Sequence, residues 1–171
     1  VTNFRKLFLH ADALMVMADA EEQQKMVKVL LVSDLHSNPV GVEFIKSTAH
    51  RFQVDFIINA GDLTDLGTAT EFEAIRELQS IPVPQLLAPG NHDSPEIIDI
   101  IAQLDNVTVL DGQMLSVAGI KVIGFADPLA DDAAVEYENP EKTRQILAEE
   151  AVRIQAGLED QERPDILVVH H

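Results

Sequence analysis

The sequence KVLLVSDLH, residues 28–36, joins an apolar run of strand length to an aspartate and a histidine that follow it directly. A continuous apolar run this short, bounded by polar residues, is typical of a strand buried on both faces. The same arrangement recurs along the chain, in the apolar runs Val54–Asn59, Val83–Ala88 and Ile166–Val169. We therefore predict a set of buried strands with polar side chains at their carboxyl ends.

Helical stretches lie between these runs, and their starts carry capping signals. We predict helices over 40–51, 69–79, 95–104 and 140–157, the last ending at a cap on Gly157. The residues that can accept a hydrogen bond from a free helix N–H are Asn38, Thr68, Ser94 and Asn139. Thr68 and Glu71 also have the spacing of a capping box. Strands alternating with helices predict a parallel sheet covered on both faces.

The alternation breaks after Leu104. Three short apolar runs follow, over 107–110, 114–117 and 120–125, and they are joined through Asp111-Gly112 and Gly119. This pattern predicts an antiparallel meander added to the sheet, so the fold class is mixed α/β. An acidic loop over 126–139 comes next, and its length is typical of a functional segment.

Composition limits the possible functions. The 171 residues carry 12 Lys+Arg against 29 Asp+Glu, a net charge of −17, and this length suits one domain. So acidic a surface repels phosphate backbones, and we expect no non-specific binding to nucleic acid or anionic lipid. The absence of cysteine leaves His, Asp, Glu and Asn as metal ligands. No apolar stretch in the sequence is long enough to span a bilayer.

The chain divides into two parts. Residues 1–26 show helical spacing of apolar side chains and predict an amphipathic segment, while 27–171 carry the strand and helix pattern. The sequence starts at Val1 and stops at His170-His171 directly after an apolar run, so we expect the natural protein to be longer at both ends. The pattern favours a cytoplasmic location, and membrane association through a further N-terminal segment stays open.

Polar clusters follow four of the predicted strands. They are Ser33-Asp34-Leu35-His36, the stretch Asn59–Asp65, the stretch Pro89–Asp93, and His170-His171. Each alone is compatible with a turn or a cap. Because ligands bind at the carboxyl ends of parallel strands, we expect all four clusters to converge on one edge of the sheet. Together they indicate a functional site.

The combined motif resembles the calcineurin-like metallophosphoesterase superfamily. The resemblance covers residues 27–171 and is carried by Asp34-x-His36, Gly61-Asp62-x-x-Asp65, Gly90-Asn91-His92-Asp93 and a late strand-end histidine. It implies a four-layer αββα sandwich, two metal ions at the strand ends, and hydrolysis of phosphomonoesters or phosphodiesters. It also implies that His92 stabilises the transition state or protonates the leaving oxygen, with Asp93 orienting its ring.

The residue types themselves suit a pair of divalent ions. Asp62 is the candidate bridging carboxylate, and a water between the two ions would serve as nucleophile. Asp34 and His36, two positions apart on an extended segment, can bind one ion, while Asn91 and His170 suit the other. Such ligands accept Mn, Fe, Zn or Mg, and we favour Mn. Two cations would also attract a phosphorylated substrate to an acidic molecule.

Several assignments at this site stay open. His171 is the alternative to His170 as ligand, because neighbouring residues of a strand point to opposite sides. His92 could be a third ligand or part of a capping turn. Asp65 is expected to orient the loop or a ligand from outside the metal shell. The family's final Gly-His-x-His motif is missing from the sequence, and we therefore expect a truncated site with reduced metal affinity and activity.

Three classes of function compete. The first is a metal-dependent phosphoesterase acting on a small phosphorylated substrate, and the acidity disfavours a nuclease. The second is a non-catalytic binding or scaffold domain that retains the fold; the presence of Asp62 and His92 speaks against it. The third is a haloacid-dehalogenase-like phosphatase with Asp34 as covalent nucleophile, but His36 stands where that chemistry wants a second carboxylate. The sequence leaves the oligomeric state open.

Overall fold

The computed structural model describes residues 26–130, 139–159 and 161–170. The amphipathic segment predicted over 1–26 falls almost entirely outside the described residues. So do the central part of the acidic loop 126–139 and His171.

A four-stranded parallel sheet forms first along the chain. Its strands are β1 (Val29–Val32), β2 (Phe56–Asn59), β3 (Gln85–Leu87) and β4 (Val107–Val109), in that spatial order. Val32 pairs with Asn59, and Asn59 with Leu87, so the first three strands end side by side. All four residues of β2 are buried, as its continuous apolar run predicts. The parallel sheet predicted from the sequence is confirmed.

Helices cover one face of this sheet. Helix α1 (Pro39–Phe52) begins where Asn38 accepts hydrogen bonds from Val40 N and Gly41 N. The helix predicted over 69–79 is broken into a 3₁₀ turn (Ala69–Glu71), a short helix α2 (Phe72–Ile75) and a second 3₁₀ turn (Arg76–Ser80). Helix α3 (Pro95–Ile101) begins at Ser94, whose hydroxyl accepts from Ile97 N. It ends three residues before the predicted boundary.

A second sheet packs on the other face. It contains β5 (Leu115–Val117), β6 (Ile120–Gly124) and β7 (Ile166–Val168). The β5–β6 pair is antiparallel, but β7 runs parallel to β6. The predicted three-stranded meander is therefore wrong. Strand β4 pairs in parallel with β3, so it belongs to the first sheet and does not pair with β5. The last strand, β7, likewise belongs to the second sheet.

Two apolar clusters hold these layers together. One lies between the first sheet and its helices and includes Ile45, Ile57, Leu87 and Ile97. The other lies between the two sheets and includes Phe56, Leu86, Leu110, Val122 and Val168. Alternate residues of β2 and β3 serve opposite clusters, because successive side chains of a strand point to opposite faces. Both faces of the first sheet are thus buried along β2 and β3. The prediction of burial on both faces is wrong for β1, because it is an edge strand and leaves Leu31 68% exposed.

Helix α4 (Pro140–Glu159) supplies the outer layer beside the second sheet. The guanidinium carbon of Arg153 lies 5.6 Å from the centre of the Phe125 ring, directly after β6. The helix continues past Gly157, so the predicted glycine cap is wrong. The α/β sandwich expected from the sequence is confirmed. None of the helices in the described ranges combines the length and apolar character needed to cross a bilayer.

Candidate metal centre

Three predicted ligands stand on left-handed backbone directly after β1 and β2. The φ angles are 56° for Asp34, 47° for His36 and 56° for Asp62. Each such conformation costs a non-glycine residue about 1–3 kcal/mol and tends to occur at functional sites. Hydrogen bonds between the loops hold this backbone conformation. Asp34 N donates to Gly61 O and His36 N donates to Asp62 O, each at a distance of 3.0 Å. The loops after β1 and β2 therefore form one unit.

The predicted extended geometry of residues 34–36 is wrong. Strand β1 ends at Val32, and the positive φ angles turn the chain sharply beyond it. Asp34 and His36 nevertheless meet, with Asp34 Oδ1 3.8 Å from His36 Nε2. The turn, and not a strand period of two, brings them together.

The loop after β3 approaches Asp62 so closely that position 90 has room only for glycine. A Cβ at Gly90 would lie 2.2 Å from Asp62 Oδ1 and 2.5 Å from Asp62 N. The approach lets His92 N donate to Asp62 Oδ1 over 3.0 Å. This bond occupies one carboxylate oxygen of Asp62, which is buried with 4% exposure. The other oxygen, Oδ2, faces the site.

Two imidazole rings direct their Nε2 atoms at Asp62 Oδ2. The distance is 3.3 Å from His170 and 3.8 Å from His36. His170 Nδ1 lies 2.7 Å from Ala60 O, a carbonyl that can only accept, so Nδ1 carries a proton. His36 Nδ1 is shielded from solvent and lies 3.1 Å from Asp65 Oδ1. With Nδ1 of His170 bonded to Ala60 O, Nε2 is the nitrogen of that ring that can bind a cation beside Asp62 Oδ2.

This donor set fits a divalent cation. A lone pair and a carboxylate oxygen repel at such distances unless a positive charge lies between them. Ligand atoms of Asp34, Asp62 and His170 all lie within 4.8 Å of one another. Histidine ligands usually donate their other ring N–H to a carbonyl or carboxylate, as His170 does to Ala60. Hard oxygen donors with imidazole nitrogens suit Mn, Fe, Zn or Mg.

His170 reaches this site from the second sheet. It follows β7, whose partner is β6, and contacts the carbonyl of Ala60 just beyond β2. The prediction that all four clusters lie on one edge of a single sheet is therefore wrong for the last cluster. Both sheets direct carboxyl strand ends at the same place, which explains why the chemistry still converges. His171, the alternative ligand, lies outside the described residues.

Asn91 and His92 occupy the turn after β3. Asn91 is buried, with 9% exposure. His92 Nδ1 lies 2.6 Å from the carbonyl oxygen of Asp65 and therefore donates a hydrogen bond to it. Nε2 is the ring nitrogen that this bond does not use. The ring meets that of His36 edge to face, with centroids 5.2 Å apart. The pKa of His92 is raised, chiefly by the hydrogen bond to the Asp65 carbonyl and further by nearby carboxylates, while burial opposes the rise.

Asp93 does not orient the His92 ring, contrary to expectation. Its carboxylate accepts from Gly90 N over 3.0 Å and from Thr64 N over 3.1 Å. Burial raises the pKa of Asp93, although these hydrogen bonds oppose the rise. The side chain accepts from one backbone N–H group of its own turn, Gly90, and from one of the loop after β2, Thr64, because both buried groups need an acceptor. Asp93 therefore ties the loops after β2 and β3 together.

Two supporting residues, Thr64 and Glu71, follow from the structure rather than from the motif, and both lie close to the motif residue Asp65. Thr64 Oγ1 donates to His92 O over 3.0 Å and to Asp93 Oδ1 over 3.2 Å. Asp65 contacts both His36 and His92, consistent with its predicted position outside the metal shell. Glu71 accepts from Asp65 N over 2.8 Å. The capping-box spacing of Thr68 and Glu71 was the sequence signal that could have drawn attention to Glu71.

The fold and the site together define a class of protein: a two-sheet sandwich with Asp and His side chains at its strand ends that could hold a metal ion. The calcineurin-like phosphoesterase family model matches residues 27–171, and the chain belongs to this family. It is also 26% identical over 126 residues to the DNA double-strand break repair protein Mre11 of Saccharolobus solfataricus. That match covers 58% of this chain and 33% of the relative, so the chain spans about a third of the relative's length.

Two solved structures are similar at a lower level. One has a TM-score of 0.46 and 18% identity, covering 57% of this chain and 51% of that chain. The other is a protein of unknown function from Aquifex aeolicus, with a TM-score of 0.41 and 17% identity. It covers 75% of this chain and 74% of that chain.

Proposed function

We propose that this chain is the hydrolytic domain of a metal-dependent phosphoesterase, with the domain spanning 27–171 and a separate N-terminal segment over 1–26. Membership of the calcineurin-like phosphoesterase family supports phosphoester hydrolysis as the class of reaction. The observation that carries the proposal is Asp62 Oδ2, which faces the Nε2 atoms of His36 and His170 from two sides. One carboxylate oxygen between two imidazoles suits a bridge between two ions.

The ligands divide into two sets around that bridge. We assign Asp34 and His36 to one ion, since Asp34 Oδ1 lies 3.8 Å from His36 Nε2. We assign His170 to the other, where the buried Asn91 would add a neutral amide oxygen. Asp62 belongs to both sets. We favour manganese as the occupant, since carboxylate and amide oxygens are ligands that it accepts readily.

When bound, a pair of divalent ions would lower the pKa of a water so that it can attack phosphorus, and would offset negative charge on the phosphoryl group. The protein's own part falls to His92. With Nδ1 donating to Asp65 O, its Nε2 is the position that can give a proton to the leaving oxygen. The raised pKa of His92 keeps that proton available at higher pH than an isolated imidazole would. Asp93 and Thr64 hold the turn that carries the ring.

A small phosphodiester or phosphomonoester is the substrate class that we propose. The net charge of −17 opposes the approach of a polyanionic nucleic acid much more than that of a small phosphate ester, because the ester carries far fewer charges. The similarity to a DNA repair protein makes DNA the competing substrate. A scaffold domain without activity is the competing function. We propose a cytoplasmic location.

Hydrolysis by the purified chain with manganese tests these alternatives together. The substrates are bis(p-nitrophenyl) phosphate, p-nitrophenyl phosphate and linear duplex DNA, assayed with wild type, Asp62→Asn and His50→Ala. His50 lies on the exposed surface of α1 and serves as the control. We expect turnover of a nitrophenyl ester by wild type and His50→Ala, and none by Asp62→Asn. Cleavage of DNA alone would replace the small-substrate proposal, and inactivity on all three would support a scaffold.

A further inference from the structure

Glu71 collects more hydrogen bonds than a helix cap requires. Its carboxylate accepts from the backbone N–H groups of Asp65 (2.8 Å), Leu66 (3.2 Å) and Thr68 (2.9 Å). The hydroxyls of Ser37 (2.8 Å) and Thr68 (2.9 Å) donate to it as well. Ser37 belongs to the loop after β1, and the other donors belong to the loop after β2. One side chain thus joins both loops that carry the proposed ligands.

The two oxygens of Glu71 have different tasks. Oε1 accepts from Ser37 Oγ and Asp65 N, and therefore serves the site. Oε2 accepts from Thr68 N and Thr68 Oγ1, and therefore serves the capping box. Leu66 N is shared between them. The capping box accounts for Oε2 alone.

Asp65 transmits the position of Glu71 to two histidine rings. Its carbonyl oxygen lies 2.6 Å from His92 Nδ1, and its carboxylate Oδ1 lies 3.1 Å from His36 Nδ1. Both contacts depend on the orientation of residue 65, which is exposed. The bond from Asp65 N to Glu71 fixes that orientation.

We infer that Glu71 is a positioning residue, which holds Asp65 so that His92 keeps its Nδ1 hydrogen bond to the Asp65 carbonyl and the Asp65 carboxylate stays beside His36 Nδ1. Its effect on turnover rests on the proposed function, but its effect on the rings does not. Mutation of residues that orient metal ligands from outside the coordination shell typically lowers metal affinity or activity by about 10- to 100-fold.

Ring-nitrogen NMR of the metal-free chain tests the inference without any assay of activity. Long-range ¹H–¹⁵N spectra distinguish protonated from unprotonated Nδ1 and Nε2, and His36→Gln and His92→Gln variants assign the signals. In wild type we expect a protonated Nδ1 on His92, because a carbonyl can only accept. In Glu71→Ala the His36 and His92 signals should move toward those of a free imidazole. Unchanged signals in the folded variant would overturn the inference.

Three further variants separate positioning from capping. Glu71→Gln keeps an amide oxygen for Asp65 and Ser37, and should restore wild-type ring signals. Thr68→Val removes a donor to Oε2 only, and Glu73→Ala removes an exposed carboxylate of α2; both should leave the rings unchanged. If Thr68→Val disturbs the rings as Glu71→Ala does, the effect belongs to the helix start and the inference fails. Should Glu71→Ala not fold, Glu71→Asp, which keeps the charge but shortens the arm, takes its place with the same criterion.

Kinetics then connect the rings to catalysis. We expect kcat of Glu71→Ala to fall about 10- to 100-fold, with a smaller change in KM and an altered pH profile, and Glu71→Gln to recover most of the loss. An inactive wild type would contradict the proposed function while the NMR comparison still decides the role of Glu71. A kcat that falls with unchanged ring signals and pH profile would overturn the positioning role.

Discussion

His170 Nε2 lies 3.3 Å from Asp62 Oδ2, although the two residues follow strands of different sheets. The contact is possible because the sheets pack face to face with carboxyl strand ends at the same place. His170 Nδ1 is held by Ala60 O, so the ring cannot turn away without losing a partly buried hydrogen bond. Two sheets, joined by an apolar core, thus fix the relative position of two proposed ligands.

Replacing His170 should remove one ion and leave the other. We expect His170→Ala to bind about one manganese ion where wild type binds two, because Asp34, His36 and Asp62 remain. Equilibrium dialysis with elemental analysis measures the number bound. His50→Ala, on the exposed surface of α1, is the control and should match wild type. Two ions in His170→Ala would show that this side chain is not a ligand.

Gly90→Ala should destabilise the fold through a clash with Asp62. The new Cβ would lie 2.2 Å from Asp62 Oδ1, and neither the buried carboxylate nor the backbone beside it can give way easily. We expect a loss of about 2–4 kcal/mol in the free energy of unfolding by urea titration, with weaker manganese binding.

Gly119→Ala is the matched control for that clash. Gly119 has φ +83° and no atom within 4 Å of an added Cβ, so only backbone strain opposes the change. We expect a cost of about 1 kcal/mol with unchanged manganese binding. Equal costs for the two variants would mean that the loop after β3 moves aside freely.

His92→Ala should separate chemistry from metal binding. The ring donates through Nδ1 to Asp65 O, which is not one of the proposed ligand atoms. We therefore expect His92→Ala to bind both ions. Loss of a general acid lowers kcat by about 100-fold or more. Turnover at saturating manganese, measured with the ion count on the same sample, checks both halves. Loss of an ion would make His92 a ligand instead.

The stability contributed by Glu71 should depend on pH. Burial alone would raise the pKa of Glu71, but hydrogen bonds from Thr68, Ser37 and Asp65 outweigh it and lower the pKa to about 2. A lowered folded-state pKa stabilises the protein above the ordinary value of 4.5, and this contribution is lost as pH falls toward 2. After allowance for solvent screening it is on the order of 1 kcal/mol at pH 7.

Glu71→Gln and Glu73→Gln measure that dependence. The difference in unfolding free energy between wild type and Glu71→Gln should be largest above pH 5 and shrink steadily toward pH 2. Glu73 is exposed and pairs with Arg76, which is itself exposed, so its variant should stay close to wild type throughout. A pH-independent difference for Glu71→Gln would contradict the assignment of the charge.

The sequence predicted the elements whose causes are local. Asn38 before Pro39 set the start of α1, and the continuous apolar run of β2 indicated burial on both faces. The motif also predicted that Asp34 and Asp62 meet, because polar residues at the ends of neighbouring parallel strands converge. His170 joins them from the second sheet, and that rule does not cover this contact.

Tertiary contacts decided what the sequence could not. Pairing of β4 with β3 depends on the packing of the whole sheet, and the apolar spacing after Leu104 is the same for either pairing. The broken helix over 69–80 and the turn of Asp93 toward Thr64 both satisfy backbone groups of neighbouring loops. Such partners come from distant parts of the chain, so no local pattern indicates them.

The number of manganese ions bound per chain tests the dinuclear centre most directly. Wild type and Asp62→Asn are dialysed against rising manganese concentrations, and bound ion is counted by elemental analysis. With Asp62 Oδ2 as the bridge, wild type should approach two ions per chain at saturation and Asp62→Asn should hold fewer than one. No bound ion in wild type, or the same number in both proteins, would contradict the account.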